Sequence, residues 1–108
     1  KEHCVVTDSY LVDAGSDVKN FKVGDRVVVS FCISCGECYY CKNEIYTSCD
    51  VMNQSKTQEF LYGHRTGGMF GYSHLLGGYD GGQAEWVRVP VADINCLKIP
   101  DHLPDEKV

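Results

Sequence analysis

Five of the chain's seven cysteines fall between Cys32 and Cys49, in the run CISCGECYYCKNEIYTSC. Thiols at that density pair as disulfides, bind a metal ion, hold an iron–sulfur cluster or carry out thiol redox chemistry. Seven cysteines cannot all pair within one chain, and the repeated three-residue spacing strains most pairings. A redox dithiol uses one isolated C-x-x-C at a strand-to-helix junction, not three in tandem. Cys32, Cys35, Cys38 and Cys41 form C-x2-C-x2-C-x2-C, one residue short of the cluster-binding run C-x2-C-x2-C-x3-C-P, and no proline follows Cys41. Structural zinc needs four thiolates at tetrahedral corners, about 2.3 Å from the ion. Cys35, Cys38 and Cys41 can wrap one side, Gly36 lets the backbone bend, and Cys49 brings a loop back to close the site. Cys32 is then the spare. One structural zinc per chain is the favoured reading and a small iron–sulfur protein is the rival, but spacing alone leaves the choice of four open.

Other candidates carry weaker signals. His3 and Cys4 are neighbours, and neighbouring residues seldom reach one ion with good geometry. His64 and His74 lie in a Gly-rich polar stretch, where a lone imidazole is ordinarily solvated. Tyr72, Tyr79 and Trp86 read as packing residues, and Cys96 as a core thiol on an alternating strand. No carboxylate pair is placed for acid–base work, and no Ser-His-Asp or Cys-His nucleophile grouping is found. Gly77-Gly-Tyr-Asp-Gly-Gly82 lacks the G-x-G-x-x-G register and runs into a strand, where a dinucleotide cradle needs a helix. It reads as a flexible loop. No catalytic and no cofactor-binding residue is assigned.

The elements that must position the thiols are mostly strands. Tyr10–Ala14 is a short strand candidate, and Gly24-Asp25 is a tight corner leading into Arg26–Phe31, a β-branched run that reads as well buried. Residues 32–50 are the cysteine lobe. Residues 51–83 read as a long loop, polar and then Gly-rich, with eight glycines between Gly63 and Gly82. Ala84–Val89 and Ile94–Ile99 alternate as strands and stop at Pro90 and Pro100. The tail from Asp101 to Val108 is compatible with the start of a helix. The expected architecture is mainly β, a small irregular barrel carrying the lobe and the loop. At 108 residues the chain is expected to be one domain.

Charge and composition narrow the class. The net charge is −5, and the ten Lys and Arg residues are scattered, which disfavours a nucleic-acid or anionic-membrane surface. No apolar run approaches the ~20 residues of a membrane span. The first residues lack the apolar core of a signal peptide, so a reducing, cytoplasmic setting is expected, where free thiols more often bind metal than pair. Asn53-Gln-Ser55 matches a glycosylation sequon that has no meaning there.

Cys35-Gly-Glu-Cys-Tyr-Tyr-Cys41 with Cys49, preceded by Phe21-Lys-Val-Gly-Asp-Arg-Val-Val-Val29, closely resembles the zinc-containing medium-chain alcohol dehydrogenases. The stretch Phe70–Pro90 is similar to the branch that includes the glutathione-independent formaldehyde dehydrogenases and their fungal relatives. The resemblance runs from about Asp13 to Val108, and residues 1–12 diverge from the family. It implies a GroES-like β-barrel in which Cys35, Cys38, Cys41 and Cys49 hold the structural zinc. It also implies a following Rossmann domain for NAD(P), and a catalytic zinc held in part by a Gly-His-Glu stretch upstream of the position matching Gly15. Here that place reads Cys4-Val5-Val6. The loop holding His64 and His74 borders the active site in such enzymes. The expectation is therefore a truncated copy, without Rossmann domain or catalytic zinc ligands, that is structural and inactive alone. An intact relative would oxidise small alcohols or aldehydes; partners would be the missing Rossmann domain or a second copy. The alternative is a free-standing zinc-binding interaction module derived from such an enzyme.

Overall fold

A computed structural model of the protein describes residues 2–7 and 9–108. Along the chain run β1 (Cys4–Thr7), β2 (Tyr10–Ala14), β3 (Val27–Val29), β4 (Cys32–Ile33), α1 (Tyr39–Lys42), α2 (Lys56–Tyr62), β5 (Gly68–Met69), β6 (Val87–Val89), α3 (Ala92–Asn95) and β7 (Cys96–Lys98). Single 3-10 turns lie at Tyr46–Ser48, His74–Leu76 and Asp105–Lys107. The mainly-β expectation holds: the sheets are β2-β1-β6, β3-β7 and β4-β5, and every ladder among the described residues is antiparallel. The chain packs as two compact units, Lys1–Ser30 with Glu85–Val108, and Phe31–Ala84.

The first unit is built on period-two burial. Cys4 and Val6 of β1 point inward while Val5 and Thr7 are half-buried. Leu11 of β2 sits opposite Val6, and Val89 of β6 opposite Cys4, so one face of the sheet is closed by apolar side chains. Val27, Ala92 and Ile99 complete this core. Each such fully buried Val or Leu contributes about 1.5–3 kcal/mol of hydrophobic stabilisation. The expected corner before β3 is present. Gly24 takes φ +93°, its N–H bonds the Leu11 carbonyl at 2.8 Å, and Asp25 accepts from the Lys22 N–H at 2.9 Å. The other Asp25 oxygen accepts from Lys98 Nζ at 2.9 Å, fixing the start of β3 to the end of β7.

Several expectations for this unit are corrected. Arg26–Phe31 is not a fully buried strand: Val27–Val29 form the ladder, Arg26 makes a single bridge to Tyr10, and Val28 is 44% exposed, because an antiparallel sheet can keep one face in solvent. Ile94–Ile99 is not one strand either. Val91 takes φ +46°, α3 follows, and the buried Asn95 amide donates to the Pro90 carbonyl at 2.9 Å and the Val91 carbonyl at 3.3 Å. Those local bonds compete with a ladder, so β7 begins only at Cys96. Trp86 is largely exposed and is not a packing residue. In the tail a 3-10 turn forms, held as Arg26 donates to the Leu103 carbonyl at 2.8 Å and pairs with Asp105 at 2.6 Å.

The second unit contains the larger surprise. Within 51–83, expected as a long loop, α2 forms with a complete set of end signals. Ser55 Oγ accepts from the Gln58 N–H at 3.2 Å, and Gly63 ends the helix in the left-handed region at φ +74°. Its pattern is inverted: Gln58 is the residue buried, whereas Phe60 is 87% exposed and Leu61 and Tyr62 are exposed too. Apolar periodicity therefore gives no helix signal there. Gln58 is accommodated because Asn53 Nδ2 donates to its Oε1 at 2.8 Å, as does the Thr66 N–H at 2.8 Å, and its Nε2 donates to Thr66 Oγ1 at 3.1 Å. Asn53, the sequon residue, is wholly buried in this network. The Gly77–Gly82 stretch is irregular, as expected, but it is pinned rather than loose. Tyr79 donates its hydroxyl to the Met52 carbonyl at 2.7 Å and meets Phe70 edge-on at 6.2 Å. Tyr79 thus packs as expected, whereas Tyr72 is exposed.

Candidate metal centre

Cys35 follows β4, and Gly36 at φ +80° turns the chain sharply behind it. That turn aims two backbone N–H groups at the Cys35 sulfur, from Glu37 at 3.4 Å and Cys38 at 3.3 Å. Cys38 then occupies the N-cap position of α1, with Cys41 one turn on. A separation of three residues places two side chains on the same face of a helix. The 3-10 turn Tyr46–Ser48 delivers Cys49, whose N–H bonds the Tyr46 carbonyl at 3.1 Å. Two bonds secure this turn: Ser34 Oγ donates to the Tyr46 carbonyl at 3.0 Å, and the Gly67 N–H to the Thr47 carbonyl at 2.8 Å. Gly67 is glycine for close approach, since a Cβ there would lie 3.2 Å from both carbonyl oxygens.

The result is that the sulfurs of Cys35, Cys38, Cys41 and Cys49 all lie within 4.8 Å of one another. Cys35 and Cys41 are 3.9 Å apart, and a tetrahedron of sulfurs about 2.3 Å from a central ion has edges of about 3.8 Å. The residues therefore fit a single tetrahedral ion. A cluster of several irons and sulfides would need the thiols further apart. Cys41 and Cys49 are buried, Cys35 and Cys38 partly so. Burial, reinforced by the neighbouring Cys38 and Cys49 sulfurs, pushes the Cys41 thiol up to about 12. An all-sulfur, tetrahedral donor set is soft and closed, the type that suits zinc and leaves no position for a substrate oxygen.

The remaining candidates lie elsewhere. Cys32 is in β4 opposite Met69, outside the group of four, with its thiol pushed up by burial. His64 is exposed, its Nδ1 3.1 Å from the Tyr62 carbonyl, and the His74 ring lies where a Cβ on Gly78 would meet it at 2.9 Å. Cys4 Sγ contacts Cys96 Sγ at 3.9 Å. Cys96 is thus a partly exposed thiol with a thiol partner, not a simple core residue. Nothing local in the sequence signals that pair. The backbone donors to Cys35 also had no sequence signal beyond Gly36.

A strand-rich fold bearing four converging thiols defines a β domain with a lobe suited to a metal ion. The alcohol dehydrogenase GroES-like domain family matches residues 9–101, and the chain belongs to that family. It is 45% identical over 97 residues to a zinc-type alcohol dehydrogenase-like protein of Schizosaccharomyces pombe, covering 90% of this chain and 23% of that one. It is 41% identical over 91 residues to the glutathione-independent formaldehyde dehydrogenase of Pseudomonas aeruginosa, covering 84% of this chain and 20% of that one. Among solved structures, the alcohol dehydrogenase TADH from Thermus sp. ATN1 superposes with a TM-score of 0.72 at 32% identity, over 90% of this chain and 24% of that one. The chain thus spans about a quarter or less of the length of these relatives.

Proposed function

We propose that Cys35, Cys38, Cys41 and Cys49 hold one structural zinc, and that this GroES-like domain serves an NAD(P)-linked oxidoreductase acting on small alcohols or aldehydes. The observation that carries the metal reading is the approach of four sulfurs to within 4.8 Å. Bound there, a dication takes the place of the thiol protons and ties residues 35–49 into a closed loop. The chain's own part is positional: Gly36 and α1 set three thiols around one centre, the Glu37 and Cys38 N–H groups donate to the Cys35 sulfur and orient it, and Gly67 and Ser34 hold the turn that presents Cys49.

The oxidoreductase reading rests on family membership and on relatives whose names state alcohol or formaldehyde dehydrogenase activity. Hydride transfer further requires a Rossmann domain to place NAD(P), and a second zinc with an open position. The antiparallel ladders of the described residues offer no strand–helix–strand cradle for a dinucleotide. We therefore assign these 108 residues, as one GroES-like domain, no turnover of their own. The partner assigned is a Rossmann domain or a second copy of the chain, not nucleic acid or membrane. The reducing cytoplasm is the proposed location, in keeping with seven free cysteines.

Metal analysis after exhaustive dialysis tests the first part. A zinc-to-chain ratio near one is expected, lost in Cys49→Ser and retained in Cys32→Ser. Iron with a visible absorption band, or zinc lost in Cys32→Ser and kept in Cys49→Ser, would overturn the assignment. For the second part, the purified chain with ethanol, formaldehyde and either cofactor should show no change in nicotinamide absorbance. Turnover abolished by His3→Ala would mean that His3 and Cys4 form a catalytic site.

A further inference from the structure

We propose that Cys4 and Cys96, neither of them among the four lobe thiols, form a reversible disulfide on exposure to a peroxide. The two residues are 92 positions apart, yet their sulfurs lie 3.9 Å from each other. Both backbones are anchored. Cys4 pairs with Ala14 on one side and Val89 on the other, and Cys96 pairs with Val29 immediately after Asn95. A disulfide needs about 2.05 Å between sulfurs, so the gap must close by about 1.9 Å, shared between two χ1 torsions. Cys4 is fully buried and Cys96 partly exposed, so a small peroxide reaches the pair from the Cys96 side.

The electrostatics make Cys4 the attacking sulfur and Cys96 the resolving thiol. The contact with the Cys96 sulfur holds Cys4 below the usual thiol value, and the same contact, with burial, pushes Cys96 up. Asp13 and Asp93 oppose ionisation of Cys4. The first proton to leave the pair is thus that of Cys4, which places a Cys4 thiolate beside the Cys96 thiol. The chemistry balances with hydrogen peroxide as the oxidant. A thiolate attacks one peroxide oxygen, the O–O bond breaks, and a sulfenic acid and hydroxide form. The partner sulfur then attacks the sulfenic sulfur, the S–O bond breaks, and the second oxygen leaves as water once the partner's proton is counted. Two electrons pass from the sulfurs to the peroxide, giving one S–S bond and two waters; a dithiol reductant reverses it. The bond would staple the β2-β1-β6 sheet to the β3-β7 sheet within the same unit.

Peptide mapping of the zinc-supplemented protein tests this. After mild hydrogen peroxide, alkylation and trypsin, residues 2–19 and 89–98 are the peptides that carry Cys4 and Cys96. They should run as one linked species, about 2 Da below the sum of the two, and separate on reduction. The linked species should be absent in Cys4→Ser and Cys96→Ser and unchanged in Cys32→Ser. The wild-type map stands even if a variant folds poorly. The proposal fails if both cysteines remain alkylatable after peroxide. It also fails if Cys96 proceeds to sulfinic acid without linking, or if either residue links to another cysteine.

Discussion

Replacing Gly68 with alanine tests whether Tyr79 is the pin that keeps β5 in register with β4. A Cβ at Gly68 would lie 2.7 Å from Tyr79 Cε2, 3.3 Å from its Cδ2 and 3.5 Å from Ile33 Cβ. Comfortable carbon contacts begin near 3.5 Å, so the ring would have to retreat by about 0.8 Å. It is not free to do so, with its hydroxyl 2.7 Å from the Met52 carbonyl and its edge against Phe70. Gly68 has no positive φ, so backbone strain does not add. Overpacking of this size costs about 1–3 kcal/mol, and loss of the Tyr79–Met52 bond adds about 1 kcal/mol. Urea unfolding should therefore show a loss of about 2–4 kcal/mol through a lower midpoint at constant m. In a Tyr79→Leu background the same change should cost less than about 0.5 kcal/mol, since the clash and the hydrogen bond are both gone. Gly77→Ala should cost more than Gly68→Ala, because the same ring atom lies 2.7 Å away and φ is +102°. Equal costs for Gly68→Ala with and without Tyr79 would refute the reasoning.

Four further outcomes are expected. Removing metal with a strong chelator should cost the Phe31–Ala84 unit its stability, read as faster proteolysis between Cys35 and Cys49, with zinc restoring protection. Leu11→Ala should lower unfolding free energy by about 2–5 kcal/mol, because the side chain is fully buried opposite Val6. Ser55→Ala should cost about 1 kcal/mol and loosen amide-exchange protection within α2, as its hydroxyl caps the Gln58 N–H. For Asp25, the Lys98 ammonium and then the Lys22 N–H hold the carboxyl below its ordinary 3.8, so the folded state favours the carboxylate. Its contribution is complete above about 3.8 and fades as pH falls through the folded value. The stability gap between wild type and Asp25→Asn, followed by urea unfolding, should thus be constant from neutral pH to about 3.8 and shrink below it.

What was legible in the sequence was whatever is decided within a few residues. Cys38 and Cys41 share a helical face because of their spacing, Gly36 makes the turn, and Gly24-Asp25 forms its corner from its own backbone bonds. The end signals of α2 were also written locally, in Ser55, Gln58 and Gly63, but were masked by a helix that buries its glutamine and exposes its aromatics. That inversion exists only because Asn53 and Thr66, supplied by other turns of the chain, satisfy the buried amide. Likewise the exposure of Val28 depends on which face of its sheet the rest of the chain covers, and Asn95 breaks a strand pattern because Val91 turns the chain toward it. The Cys4–Cys96 contact is the extreme case: two unremarkable cysteines become neighbours only when β1 and β7 are brought together across 92 residues. Local spacing is paid for by short-range hydrogen bonds, so a window of sequence reveals it. Contacts across the chain arise only when the whole core closes, and no window contains both partners.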